Sequence, residues 1–343
     1  MSKLNSKNQG NHDSNNWANS SPHPSIIGIG SHLNMDTLVQ QIINGLVLGS
    51  LYALVALGYT MVYGIINLIN FAHGEVLMVG ALVCWSVMAF LAQEFPQLSP
   101  GWELVLGLLV ACMVSVVLNV AIEKLAYRPL RNAPKLAPLI TAIGVSTLLQ
   151  TLAMIIFEPN YKSFVNPLPN VPMGVLGAVI TPTQVMILIT TVALLLLLMF
   201  VIHSTRLGRA MRATSENEQI AALMGVKPDQ VISATFAIGA VLASVAGVMW
   251  AANFGTVHHS MGFLPGLKAF TAAVLGGIGN LPGAVLGGLC LGLIESIGSG
   301  YLGPLTGGVL GSQYSDIFAF LVLIGMLTLR PSGLLGERLA QRA

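Results

Sequence analysis

The sequence predicts an all-α protein: a polytopic transmembrane helical bundle of eight or nine spans, two of them broken or re-entrant. Three observations predict it. Of 343 residues, 54% are hydrophobic and only 8% charged, against about 25% charged in a typical soluble domain. A soluble fold of this length would cover its surface with charge, and this chain has too little. Long stretches also carry no charge at all, and the basic residues gather in a few short loops. The net charge of +2 argues against a nucleic-acid partner. Cys84, Cys112 and Cys290 sit in apolar runs without metal-ligand or redox spacing, as small packing residues do.

In chain order, residues 1–35 are expected to form a disordered polar extension, because they are rich in Asn and Ser and lack the apolar core of a signal peptide. The transmembrane domain is expected over residues 36–336, followed by a cytoplasmic tail at 337–343. A membrane helix needs about 20 apolar residues. Residues 76–93, 104–122, 138–157, 184–202 and 230–252 supply uncharged runs of that kind, and a last helix is expected over about 312–329. Two further runs, 38–72 and 269–294, are too long for one helix and too short for two well-separated ones. The first is punctuated by Gly45, Gly49, Gly58 and Gly64, and the second by the Gly-rich segment from Gly276 to Gly283.

Basic residues accumulate in cytoplasmic loops. Lys124, Arg128, Arg131 and Lys135 mark one, Arg206, Arg209, Arg212 and Lys227 a second, and Arg330, Arg338 and Arg342 the C-terminus. Residues 158–183 and 253–263 should therefore face outside, which places the start of the first helix outside as well unless 38–72 contains an extra crossing.

The loop at 204–228 is the most informative. Ser215 followed by Glu218 reads as a capping box opening a short helix over 216–224, with Gly225 in the left-handed position that ends it and Pro228 beyond. Its Ile220, Ala221, Leu223 and Met224 are apolar between spans. Two readings stand: a helix resting on the bilayer, or a docking element for a cytosolic partner. Gly276 to Gly283 is not a dinucleotide fingerprint, since Pro282 stands where the third glycine belongs, and no Gly-Lys pair forms a P-loop. The segment is either a tight hairpin, with Gly283/Gly287 and Gly288/Gly292 as packing faces, or a discontinuous helix exposing Gly277, Gly279 and Asn280 to a substrate path.

Asn67, Asn70, His73 and Glu75 pose the same choice between an ordinary helix end and a broken helix on the pathway. Zinc is a weak third reading, because no helical His-x-x-x-His accompanies them. Lys268 lies 12 residues before Asn280 and Glu295 lies 13 after Pro282, so a hairpin turning there sets both at one depth, where they are expected to pair. The alternative has Lys268 snorkelling and Glu295 facing a water-filled cavity. No catalytic constellation is present, and the adjacent His258 and His259 project in different directions.

Several segments together resemble permeases of branched-chain amino acid ABC importers, the LivH type. They are NGLVLGSLYAL from Asn44 to Leu54, GYTMVYGIIN from Gly58 to Asn67, NFAHGE from Asn70 to Glu75, AYRPLR from Ala126 to Arg131, RLGRAMRA from Arg206 to Ala213, and AFTAAVLGGIG from Ala269 to Gly279. The likeness spans about residues 36–336, and the polar extension has no counterpart in it. It implies a subunit of the plasma (inner) membrane of a bacterium that translocates branched-chain or other neutral amino acids and is not itself an enzyme. Its implied partners are a second related permease, two cytosolic ATPase subunits that hold ATP and Mg, and an extracytoplasmic substrate-binding protein. No cofactor and no metal are expected on this chain.

By the same resemblance the helix after Ser215 is the coupling helix, with Arg209, Arg212, Ser215, Glu216, Glu218, Ala221, Leu223 and Gly225 as its coupling residues. The Glu-Ala-Ala-x-x-x-Gly consensus of such loops is matched only loosely, since Ala221-Ala222-Leu223-Met224-Gly225 is one residue short. The substrate path would run by Asn67, Asn70, His73, Gly277, Gly279 and Asn280, with ATP-driven rocking giving alternating access. The competing functions are a permease of the same superfamily for urea, short amides or a sugar, and a stand-alone channel or secondary carrier.

Overall fold

The computed structural model describes residues 35–131, 133–134, 136–168, 171–175, 177–306, 314–330 and 332–336. The predicted N-terminal extension up to residue 34 and the tail at 337–343, with Lys135, Arg338 and Arg342, lie outside the described residues.

The first over-long apolar run resolves into one helix and a return segment. Helix α1 (Met35–Ile66) is continuous through its glycines for 32 residues, about 48 Å at 1.5 Å per residue. Asn67 then turns the chain with φ 51°. After the non-helical residues 67–72, α2 (His73–Glu94) begins back at the level of Gly58, with the His73 ring in the space that a side chain on Gly58 would need. The chain has climbed about 12 Å, eight helical residues, without helical hydrogen bonds.

Helix α3 (Pro100–Ile122) runs into a five-residue π turn at Glu123–Tyr127 and a short 3-10 turn at Arg128–Leu130. Helix α4 (Leu136–Phe157) follows, then three short strands, β1 (Lys162–Ser163), β2 (Met173–Val175) and β3 (Ala178–Ile180). Helix α5 (Pro182–Ser204) opens on a capping box between Thr181 and Gln184. Helices α6 (Arg206–Glu216) and α7 (Glu218–Leu223) form the loop before α8 (Pro228–Phe254). Strand β4 (Thr256–Val257) pairs antiparallel with β1, and α9 (Phe263–Gly276), α10 (Leu281–Leu305) and α11 (Ser315–Leu329) complete the described bundle.

Among the described residues seven helices, α1 to α5, α8 and α10, are long and apolar enough to cross a membrane. Helices α9 and α11 are apolar but have only 14 and 15 residues, about 21–23 Å against a hydrocarbon core of about 30 Å. Both start part-way down α10, which is why the second over-long run becomes a hairpin with one short arm.

Burial separates an inner from an outer layer. The apolar windows of α1 and α8 are each 72% buried, whereas that of α5 is 17% buried. Val117, Ile155 and Phe200 on α3, α4 and α5 face outward, as lipid-facing side chains do. The most extensive inner contact is α1 on α10. A Cβ on Gly49 would lie 2.7 Å from Leu289 Cα, and one on Gly288 would lie 2.7 Å from Ala53 N. Gly283 and Gly287 turn instead toward α9, where Gly276 and Ala272 approach them. The two small-residue faces of α10 thus serve two different neighbours.

Arg128, Arg131, Arg206, Arg209, Arg212, Lys227 and Arg330 all fall at one end of the bundle. The turn between α9 and α10 is at that end too, because Leu334 and Leu335, just after α11, donate to Leu275 O and Gly276 O. By the positive-inside rule this end is cytoplasmic. The short strands mark the other end. Helix α1 starts there, with the Gln40 carboxamide bonded both ways to the Val179 backbone at 2.8 and 3.1 Å.

Candidate coupling and translocation sites

At the cytoplasmic end the helix expected from a Ser215 capping box is built differently. Helix α6 runs on through Glu216, and Ser215 Oγ donates to Arg212 O inside its last turn. The cap of α7 is Asn217, whose Oδ1 accepts from Ile220 N at 2.9 Å. Asn217 takes φ −160° and breaks the helix in the extended conformation an N-cap needs. Glu218 therefore begins α7 rather than closing a box, and Glu216 is the exposed last residue of α6. Gly225 takes φ 86°, and its N–H bonds Ala222 O to finish the turn.

Helix α7 has one buried residue, Ala221. Ile220, Leu223 and Met224 are 59%, 86% and 81% exposed. Three large apolar side chains on a single turn and a half is a small, concentrated patch. Ion pairs fix its base. Arg131 reaches Glu123 at 2.6 Å, Asp229 at 2.7 Å and Glu218 at 3.7 Å, and Arg128 also pairs with Asp229. Glu123 is fully buried and accepts a further bond from Ser233 at 2.7 Å. The π turn carries Glu123 and Tyr127 inward together, a use typical of such bulges. Arg212 donates to Ile202 O and ties α6 to the end of α5, while Arg209 is exposed. A cleft of about 400 Å³ opens between Asn67, Leu68, Arg131 and residues 214–219.

Across the return segment and the first turn of α2, Asn70, His73 and Glu75 are buried polar residues, whereas Asn67 is exposed. Asn70 Oδ1 accepts from Tyr127 Oη at 2.8 Å, and His73 packs edge-on to Tyr59 with ring centroids 4.9 Å apart. Glu75 Oε1 accepts from Ser146 at 3.0 Å and from Gln150 at 2.7 Å, bonds that hold α4 to the start of α2. Asn70 Nδ2, both His73 ring nitrogens and Glu75 Oε2 are buried without a partner. Among the described residues no group of three His, Cys, Asp or Glu is placed to hold a metal.

The glycine-rich turn is occupied by the chain itself. Gly277 and Gly279 take φ 104° and 96°, and Gly277 packs on Gly336. Asn280 caps α10 through Gly283 N at 2.9 Å and donates to Leu335 O at 3.0 Å. The turn lies beside the end of α1, where a Cβ on Gly64 would meet Gly279 Cα at 3.6 Å. Both helix breaks are thus at the cytoplasmic end of α1.

Nearer the middle of the bundle, Lys268 Nζ lies 2.6 Å from Glu295 Oε1 and also 2.6 Å from Asp316 Oδ1. Tyr52 Oη donates to Glu295 Oε2 at 2.9 Å. Residue-by-residue reading missed Asp316, Tyr52 and the Glu123–Arg131–Asp229 network. The signal for Asp316 was present, because it is a lone acid within the last apolar run.

With this geometry in hand, comparison with known proteins gives a consistent answer. Residues 41–327 match the family described as "Branched-chain amino acid transport system / permease component". The chain is 44% identical over 307 residues to the high-affinity branched-chain amino acid transport system permease protein BraD of Pseudomonas aeruginosa, covering 87% of this chain and 96% of the relative. It is 43% identical over 313 residues, with the same coverage, to the LivH permease protein of Escherichia coli. A probable LivH of Methanocaldococcus jannaschii is 28% identical over 293 residues, covering 85% of this chain and 90% of that one. The chain belongs to the family of branched-chain amino acid transport system permease components.

Proposed function

We propose that this chain is the membrane permease subunit of an ATP-driven importer of branched-chain or other neutral amino acids in the plasma (inner) membrane of a bacterium. Family membership supports the class, and the relatives' names support the substrate. The observation that carries the coupling is α7, a cytoplasmic helix whose Leu223 and Met224 stand exposed while its base is clamped through Arg131. The polar residues nearest along α7 are Glu218 and Gln219, with Glu216 just before it, so acid and amide stand beside the apolar tip, which suits a groove on a protein.

In this reading two cytosolic ATPase subunits hold ATP and Mg, and this chain binds no cofactor. A second related permease completes the pore, and a binding protein delivers substrate at the strand-bearing end. Among the described residues nine helices cross the bilayer, α9 and α11 being short crossings. Arg209, Arg212, Ser215, Glu216, Glu218, Ala221, Leu223 and Gly225 transmit the ATPase movement. Asn67, Asn70 and His73, with Gly277, Gly279 and Asn280 across α1, form the inner end of the path that opens when the halves rock apart.

The test is uptake into vesicles carrying the full transporter and its binding protein. Leucine, isoleucine and valine should enter only with ATP, ahead of urea, acetamide and glucose. Preferred uptake of one of those three would replace the substrate reading. Uptake without the ATPase subunits would make the chain a stand-alone channel or carrier.

A further inference from the structure

A cavity of about 420 Å³ opens at the extracytoplasmic end of the bundle, between the outer halves of α1 and α10 and the adjoining ends of α5 and α8. Its size falls in the range of small-molecule sites. Gln41, Asn44, Val47, Leu48, Phe254 and Glu295 are among its lining residues. Glu295 stands at its floor, 6% exposed.

The charge at that floor does not balance. Among the described residues Glu295 and Asp316 share one cation, Lys268, each at 2.6 Å, so these three side chains carry one formal negative charge in excess. The Asp316 side chain is 40% exposed while those of Lys268 and Glu295 are each 8% exposed, so Glu295 is the buried anion, the one at which a second cation gains most. Lys268 also has a second anion to fall back on. When another cation comes to Glu295, Lys268 keeps Asp316 and no ammonium is stranded. Higher in the cavity, Asn44 Oδ1 accepts from Gln40 Nε2 at 3.0 Å and Gln41 Oε1 accepts from Ser296 Oγ at 2.8 Å. The Asn44 oxygen is thus engaged, the one Ser296 proton is shared between Gln41 O and Gln41 Oε1, each 2.8 Å away, and both carboxamides carry NH2 groups that can donate. Val47, Leu48 and Phe254 supply an apolar wall.

We propose that this cavity is the outward-facing substrate site, and that it takes a zwitterionic α-amino acid with an apolar side chain. The substrate ammonium sits on Glu295, its carboxylate meets the amides of Gln41 and Asn44, and its side chain lies along Val47, Leu48 and Phe254. The proposal rests on the import reading above and adds a location and a recognition chemistry to it.

Ser299 lines the same cavity, and its Oγ bonds its own helix at Ser296 O, so a cysteine there reports on occupancy. The experiment uses the assembled transporter without its binding protein, carrying Ser299→Cys in a chain whose Cys84, Cys112 and Cys290 are alanine. The rate of labelling by a water-soluble thiol reagent is followed. Leucine should slow labelling several-fold, whereas 4-methylpentanoate, which lacks the ammonium, should not. Adding Glu295→Gln should raise the leucine concentration for half-protection by about 10–100-fold, the loss of one charged hydrogen bond. Equal protection by 4-methylpentanoate overturns the role of Glu295, and this arm needs no variant at 295. No protection by leucine overturns the site, and if the unmodified transporter still imports leucine the import reading stands without it.

Discussion

The close approach of α1 and α10 makes a prediction whose sign differs between two glycines on the same helix. At Gly49 a Cβ would sit 2.7 Å from Leu289 Cα and 2.8 Å from Gly288 O, both backbone atoms that cannot swing aside. Carbon atoms prefer about 3.5–4.0 Å, so α10 would have to retreat by about 1 Å. Overpacking of this kind costs about 1–3 kcal/mol, and a backbone neighbour argues for the upper end. The gain in helix propensity from Gly to Ala returns about 1 kcal/mol. Gly49→Ala should therefore cost about 2 kcal/mol, roughly a 30-fold loss in the folded-to-unfolded ratio. At Gly64 the nearest atom to a Cβ is 3.6 Å away, an ordinary contact, so Gly64→Ala should keep the propensity gain of up to about 1 kcal/mol. The assay is thermal unfolding of the purified transporter. At about 2–4 °C per kcal/mol, Gly49→Ala should lower the midpoint by about 4–8 °C and Gly64→Ala should raise it by about 1–4 °C. Shifts of the same sign, or an unshifted Gly49→Ala, would refute the packing argument.

Lys268→Met should destabilise the protein by about 3–5 kcal/mol, because it leaves Glu295 and Asp316 facing each other unpaired; adding Glu295→Gln and Asp316→Asn should recover most of that loss in the same unfolding assay. Around the cytoplasmic cluster, Glu123→Gln should cost about 3 kcal/mol since Glu123 is fully buried against Arg131, whereas Asp229→Asn should cost under about 1 kcal/mol because the Asp229 side chain is 53% exposed. Burial, with a smaller contribution from His259, holds the His258 imidazole below its ordinary pKa. The folded loop thus favours the neutral ring, so its contribution to stability is present above the unfolded pKa and is lost as pH falls through the lowered folded value. The protection factors of residues 255–262, amide exchange divided by its intrinsic rate at each pH, should fall at pH 5 relative to pH 7.5, and His258→Gln should remove that fall.

The lipid-facing helices were the most legible part of the sequence. Where α3, α4 and α5 face lipid, solvent transfer alone decides the residues, and the apolar runs mark them within a few positions. The two over-long runs were legible as anomalies but not as structures. Asn67 turning the chain so that residues 67–72 climb back beside Gly58 depends on a notch that exists only once α1 and α2 pack. The placing of α11 beside α9 and α10 is likewise non-local, since Lys268 of α9 meets both Glu295 of α10 and Asp316 of α11. For that cluster, counting residues from the turn placed Lys268 and Glu295 at one depth, but nothing local ties Asp316 or Tyr52 to them. At the cytoplasmic end the Ser-x-x-Glu pattern misled because Asn217, two residues on, is an equally good cap with its own free i+3 amide.

The central claim is that movement of ATPase subunits reaches this chain through α7, and one ratio tests it. Leucine imported per ATP hydrolysed should be measured in reconstituted transporter carrying Leu223→Asp, a change at a side chain 86% exposed and remote from the packed core. The account predicts that the unfolding midpoint of the permease stays unchanged while the ATPase subunits loosen and imported leucine per ATP falls toward zero. An unaltered ratio, with uptake at the level of the unmodified transporter, would contradict it.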